Sequence, residues 1–207
     1  MKGIRILLLV LLSLALLPHR LQAQHLTWQA GYFGFLDNRE YFNPYVNDQT
    51  IFGARLSGTL GFMLNDSNRI AAGADYLYEF GSKGEGQAPD PVLFYNSTRR
   101  HTDFYIGAFP RLGLLDMPMA LMTDTFRYFR PNVEGIFFRY HSGPFMHNVW
   151  IDWTGRPSNQ RRESFMLGFS GTFHKGIFIW KHHFVMSHLA HSLQPEPDIH
   201  LRDNGGY

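Results

Sequence analysis

The chain has 207 residues, 44% hydrophobic and 16% aromatic, with 19 Lys and Arg against 17 Asp and Glu and no cysteine. Without cysteine there is no disulfide framework, no thiol for a lipid anchor and no thiolate zinc site. Lys2, Arg5 and Arg20 belong to an N-terminal leader, so the remainder carries 16 basic against 17 acidic groups, a net charge of about −1. No basic cluster is left to neutralise phosphates, which excludes nucleic acid as a partner.

The leader spans residues 1–23: Lys2 and Arg5 precede an apolar run at 6–17 interrupted only by Ser13, and Pro18 to Ala23 then supply a helix breaker and a small residue. The run is shorter than the about 20 apolar residues of a spanning helix, so it predicts a cleaved export signal, cut between Ala23 and Gln24. Residues 24–207 read as a single domain.

A first strand is expected at 25–36, followed by a polar connection at 37–50. Next comes the clearest signal in the chain. Phe52, Ala54, Leu56, Gly58, Leu60, Phe62 and Leu64 alternate with Gly53, Arg55, Ser57, Thr59 and Gly61, a period of two and hence a strand. After the turn at 65–68, Ile70, Ala72, Ala74, Tyr76, Tyr78 and Phe80 alternate with Gly73, Asp75 and Glu79, which closes a long hairpin. A long polar connection is expected at 81–91, then less regular strands at 102–111, 117–129, 132–141 and 146–154.

A second clean pair follows, with Phe165, Leu167, Phe169 and Phe173 alternating against polar or small residues up to Lys175 and Gly176, and Phe178, Trp180, Phe184 and Met186 returning. The tail beyond Ser192 reads as loop. Pro110, Arg111, Pro118, Arg130 and Pro131 bracket a stretch of poorer alternation that suits a bulge, an inward fold or an irregular segment.

These segments make nine strands in an all-β, antiparallel up-and-down membrane β-barrel, with short turns alternating with long loops. Closed bacterial barrels have an even count. Either a returning strand is missing, as in a fragment lacking its closing strands, or one of the five weaker strands is wrong. A soluble secreted β-sandwich is the rival fold, and strand length argues against it: the two clean hairpins reach the about 9 to 11 residues that cross hydrocarbon, against about 5 or 6 in ordinary strands. Trp28, Tyr32, Tyr76, Tyr78 and Trp153 are placed to form interfacial girdles.

On the leader, the hairpin at 52–80, the segment Asn148-Val-Trp-Ile-Asp-Trp-Thr-Gly155 and the pair at 165–184, the chain resembles bacterial outer-membrane β-barrel proteins of the porin-like type. The resemblance implies insertion in the outer membrane among its lipids, and it transfers no catalytic residue. It leads to the expectation of a non-enzymatic protein acting by passive passage of small solutes or in a structural or surface-binding role.

Charged and polar residues expected to face the lumen are Arg55, Asp75, Glu79, Asp103, Arg111, Asp152, Lys181 and His183, whose mixed signs suggest pairing across the interior. His174, His182, His183, His188, His191 and His200 crowd the C-terminal part. On a strand, however, His182 and His188 share one face while His183 and His191 lie toward the other, so no three converge, and neither a metal nor any other cofactor is expected. The enzymatic alternative is a lipid or ester hydrolase using Ser192 or Ser187 with His191 or His188, for which no third orienting group or oxyanion hole shows at recognisable spacing.

Overall fold

The computed structural model describes residues 25–42, 48–83, 88–122, 125–190 and 201–206, the last of these as backbone alone. Ten strands pair antiparallel in strict chain order. They are β1 (Leu26–Arg39), β2 (Gln49–Asn65), β3 (Asn68–Glu79), β4 (Asp90–Thr98), β5 (Thr102–Pro110), β6 (Asn132–Ser142), β7 (Phe145–Gly155), β8 (Ser164–Lys175), β9 (Phe178–Leu189) and β10 (Leu201–Gly206). The strand order is up-and-down throughout, and no ladder joins β1 to β10 among the described residues.

Side-chain direction alternates along each strand, but the usual polarity is inverted. On β2, Leu56 and Leu60 are 61% and 60% exposed, while Arg55, next to Leu56, is 4% exposed. Trp28, Tyr32, Tyr78 and Trp153 stand on the same outer wall. A sandwich would hide the leucines and hydrate the arginine. A wall that presents Leu, Phe, Ile and Trp outward and keeps Arg, Asp and Asn inward is built for hydrocarbon outside, so the soluble alternative is discarded. Among the described residues no helix is long and apolar enough to cross a membrane.

Three elements differ from the sequence expectation. Residues 117–129 are not a strand: they hold a 3-10 turn, Met119–Leu121, and a single short helix, α1 (Thr125–Phe129). Pro118 has no backbone donor to give a ladder, and Met117, Leu121 and Phe126 pack on the interior instead of lining a wall, so this stretch does not join the sheet. The strand β4 was hidden because Asp90-Pro91 reads as the end of a loop. Proline is tolerated at the beginning of a strand, and behind it Val92, Phe94 and Asn96 point inward while Leu93 points outward. The tail read as loop contains β10, which pairs with β9 through a register shift between Leu201 and Asp203.

The connection between β5 and β6 folds into the barrel. Leu114, Leu115, Met117, Leu121 and Phe126 pack on a core made by inward-facing Ala71, Val92, Phe94, Phe109, Val133, Phe137, Trp150, Met166 and Val185. Arg139 Nη2 donates to the Leu114 carbonyl at 2.6 Å and Lys181 pairs with Asp116 at 3.7 Å, which anchors the inserted segment to β6 and β9. At its other end Tyr128 stacks on Phe35 of β1 with centroids 4.6 Å apart, and Arg55 donates to the Tyr128 carbonyl. Two glycines make this geometry possible. Gly107 has φ +118°, a conformation that side-chain-bearing residues rarely adopt, and a Cβ there would lie 2.2 Å from the Leu93 carbonyl oxygen. At Gly168 a Cβ would lie 2.3 Å from the Trp150 ring, so the missing side chain is the slot that receives the indole.

Candidate active site and rim recess

Two groups of residues lie at the end of the sheet where the long connections are. The first is a buried polar network at the point where the inserted segment leaves β5 and re-joins β6. Arg111 Nη2 contacts Asp152 Oδ2, and its Nη2 and Nε donate to the carbonyls of Asn132 and Arg130 at 3.1 and 3.2 Å. Asp152 is fully buried; its Oδ1 accepts from the Glu134 amide at 3.0 Å and lies 3.7 Å from Arg130 Nη2. Asn132 Nδ2 donates to Asp75 Oδ2 at 2.6 Å, a contact that crosses from β6 to β3, and Arg55 Nη1 is 3.9 Å from Asp90. Burial lowers the Arg111 guanidinium from its ordinary value, and the carboxylate of Asp152 opposes that shift.

Directly beside this network is a recess of about 330 Å³ lined by Asp90, Pro91, Ala108, Phe129, Arg130, Pro131, Asn132 and Glu134. Pro91, Ala108 and Glu134 occupy outward positions of β4, β5 and β6, so the recess belongs to the rim and outer wall. Glu134 interrupts an outward series that continues as Ile136, Phe138 and Tyr140. Its carboxylate is 66% exposed and lies 4.0 Å from Arg130.

The second group is an aromatic row on the outer wall. Trp153 of β7 stacks on Phe165 of β8 at 5.4 Å, and Phe165 stacks on His188 of β9 at 4.6 Å, with interplanar angles of 17° and 19°. Stacking fixes the plane of the His188 ring while leaving it on the lipid side. Ser187, next in the chain, points to the opposite face, so Ser187 and His188 cannot act as a nucleophile–base pair. His191 and Ser192 lie outside the described residues.

The residues expected in the lumen occupy several environments. Arg55, Asp75, Arg111 and Asp152 are buried in the polar network, and His183 is buried on the inward face of β9. Asp103 lies near the short-turn end, 3.7 Å from Arg139 and 3.9 Å from His141. Glu79 ends β3 at the long-loop end, and Lys181 reaches Asp116 of the inserted segment. The histidines are dispersed: His182 faces outward beside Trp180 and His147, His183 inward, and His174 sits at the short turn with Nε2 3.0 Å from the Gly176 carbonyl. Among the described residues, no three His, Asp or Glu side chains are grouped to hold a metal ion. His200 lies outside the described side chains.

Sequence reasoning missed Asp90, Arg130, Asn132 and Glu134 as a group. The signal was present in Glu134, a carboxylate at a lipid-facing position of an otherwise apolar series.

A family model described as Lipid A 3'-O-deacylase-type matches residues 19–193, most of the chain. No curated protein matches it. A deacylase family is a family of hydrolases, which overturns the expectation of a non-enzymatic porin-like protein. The physical reason is in the interior: the inserted segment and the cluster around Trp150, Phe109, Phe137 and Val133 fill the space that passage of small solutes would need. The part of the earlier expectation that stands is the coarser one, a barrel-type protein of an outer-membrane lipid-associated family.

Proposed function

Because the chain belongs to the lipid A 3'-O-deacylase-type family, we propose that it is an outer-membrane hydrolase that removes an ester-linked acyl chain from a lipid A-type glycolipid. In bacterial barrels the short turns face the periplasm and the long loops face outward, which puts the rim recess and the aromatic row at the level of the outer leaflet. Residues 1–23 serve as the export signal in this reading.

The observation that carries the proposal is His188, an imidazole held on the lipid side of the wall at the long-loop end by its stack on Phe165. Ester hydrolysis needs a base to take a proton from the attacking oxygen and return it to the departing alkoxide. An imidazole changes charge near neutral pH and can do both. The acyl chains of such a lipid lie along the apolar wall, so the ester bond, at the junction of chain and headgroup, is carried to the height of His188. The attacking oxygen is that of water, so the products are the free fatty acid and the lipid hydroxyl.

The test is mass spectrometry of lipid A after incubation with the full-length protein in mixed micelles. Loss of one ester-linked acyl group and release of the free fatty acid is expected, with His188→Ala slowing it about 100-fold or more. An unchanged lipid spectrum with folded wild-type protein would remove the hydrolase reading, and undiminished activity of H188A would place the base elsewhere.

A further inference from the structure

His147 of β7 and His182 of β9 both point outward toward the short-turn end of the wall, and the residue level with them on the intervening β8 is Gly171. Strands β7 and β9 are about 9.6 Å apart, twice the spacing of neighbouring strands, yet the two imidazole centroids are 5.2 Å apart. The rings close that gap by leaning over the glycine from either side. A Cβ at Gly171 would lie 2.4 Å from His147 Nδ1 and 2.5 Å from His182 Cε1, so any side chain there would drive them apart. Neither imidazole has a hydrogen-bond or ion-pair partner among the described residues. The outward positions around the pair are Tyr140, Phe145, Val149, Phe169, Phe173 and Trp180, none of them charged.

We propose that His147 and His182 together bind a divalent transition-metal ion of the zinc kind, with water in the remaining positions. Spacing is the first argument. Two imidazole nitrogens about 2.1 Å from one metal ion, at a tetrahedral angle, put the ring centroids about 5 Å apart, and the pair stands at 5.2 Å. Of the two nitrogens beside His182 Cε1, Nδ1 is buried, which leaves Nε2 as the ligand atom. His147 offers Nδ1, the atom nearest the slot. Chemistry is the second argument: imidazole suits zinc, copper and nickel, whereas calcium and magnesium take oxygen ligands. An anion fits less well, because an imidazole is mostly neutral above about pH 7 and no Lys or Arg occupies the six neighbouring positions.

Closed structural sites have three or four protein ligands. With two, the ion exchanges with solvent and acts as a removable brace between β7 and β9, strands that share no ladder. It stabilises the folded state, since the two rings meet only when β7, β8 and β9 are in register. His188 lies six residues further along β9, about 20 Å at strand spacing. The metal site therefore stands whether or not the hydrolase reading does.

The test is calorimetric titration of zinc chloride into tag-free, full-length protein in detergent micelles at about pH 7.5. A site for one zinc ion is expected in the wild type, with binding weakened about tenfold or more in His147→Ala and in His182→Ala, each of which removes half of the protein ligands. His141→Ala and His188→Ala are expected to keep it. Gly171→Ala retains both ligands and fills the slot, so it is expected to weaken binding similarly; H147A, at an exposed position, serves if G171A fails to fold. Zinc is expected to raise the urea midpoint of the wild type and not that of H147A, and binding is expected to fall away at about pH 5.5 as the imidazoles take up protons. Absence of zinc binding by the folded wild type, or binding that survives both histidine substitutions, would overturn the site.

Discussion

The β2–β3 hairpin and the rim where β4, β5 and β6 meet the inserted segment are built from the same strand geometry and put it to opposite use. In the hairpin, outward Phe52, Leu56, Leu60 and Phe62 and inward Arg55, Thr59 and Asp75 keep the pattern over most of its length, with Ile51 and Ala71 as inward apolar residues. At the rim the pattern breaks on both faces: Glu134 stands outward among apolar residues, and Arg111 and Asp152 are buried beside Phe109, Val133 and Trp150. A regular wall dissolves in lipid and does nothing more. Departures from it cost stability, and they gather where the recess and the aromatic row are.

The comparison is broken most severely by Asp152→Ala, which leaves Arg111 and Arg130 facing a buried hole where a carboxylate was. Loss of about 3 to 5 kcal/mol is expected, read as a lowered urea midpoint for unfolding in micelles. A smaller effect is expected in the regular wall: Leu60→Arg places a charge on the lipid face and costs about 2 to 4 kcal/mol if that position is near the bilayer midplane. Transfer of the variant to detergent with a shorter hydrocarbon should relieve part of that cost, which a packing defect would not show.

Third in size is Gly168→Ala. Its Cβ would lie 2.3 Å from the Trp150 ring, so the indole is displaced at a cost of about 1 to 3 kcal/mol, visible as a change in tryptophan fluorescence along with the midpoint. Smallest is Glu134→Gln. The ion pair with Arg130 is at 4.0 Å and exposed, so the stability change is expected to be about 1 kcal/mol or less. An unfolding midpoint shifted as far as that of the Asp152 variant would mean that Glu134 is part of the buried network and not of the recess lining.

Legibility followed the same division. The hairpin could be read residue by residue because an outward Leu60 and an inward Thr59 are set by position along one strand. The strand β4 escaped because Pro91 resembles the end of a loop, although Leu93 and Phe94 behind it carry the alternation. The segment 117–129 imitated a strand because its apolar residues serve an interior, and an apolar residue packed inside a barrel looks in sequence like one facing lipid outside. Arg111 and Asp152 were expected inward, yet their pairing with each other could not be read from their positions. Asn132 drew no notice, and Arg130 only as an edge of the irregular stretch, because each is ordinary until its contact with Asp75 or Asp152 is seen.

The amino-acid sequence alone determined the period of two, the inverted polarity of the strands and the alternation of short and long connections, since each depends only on neighbours along the chain. The tertiary structure decided that the interior is filled, that Asp75 meets Asn132 across 57 residues of chain and that Ser187 and His188 part company. These outcomes depend on how far the sheet curls and on where the inserted segment comes to rest, and such long-range contacts are selected by packing and desolvation after the strands have formed.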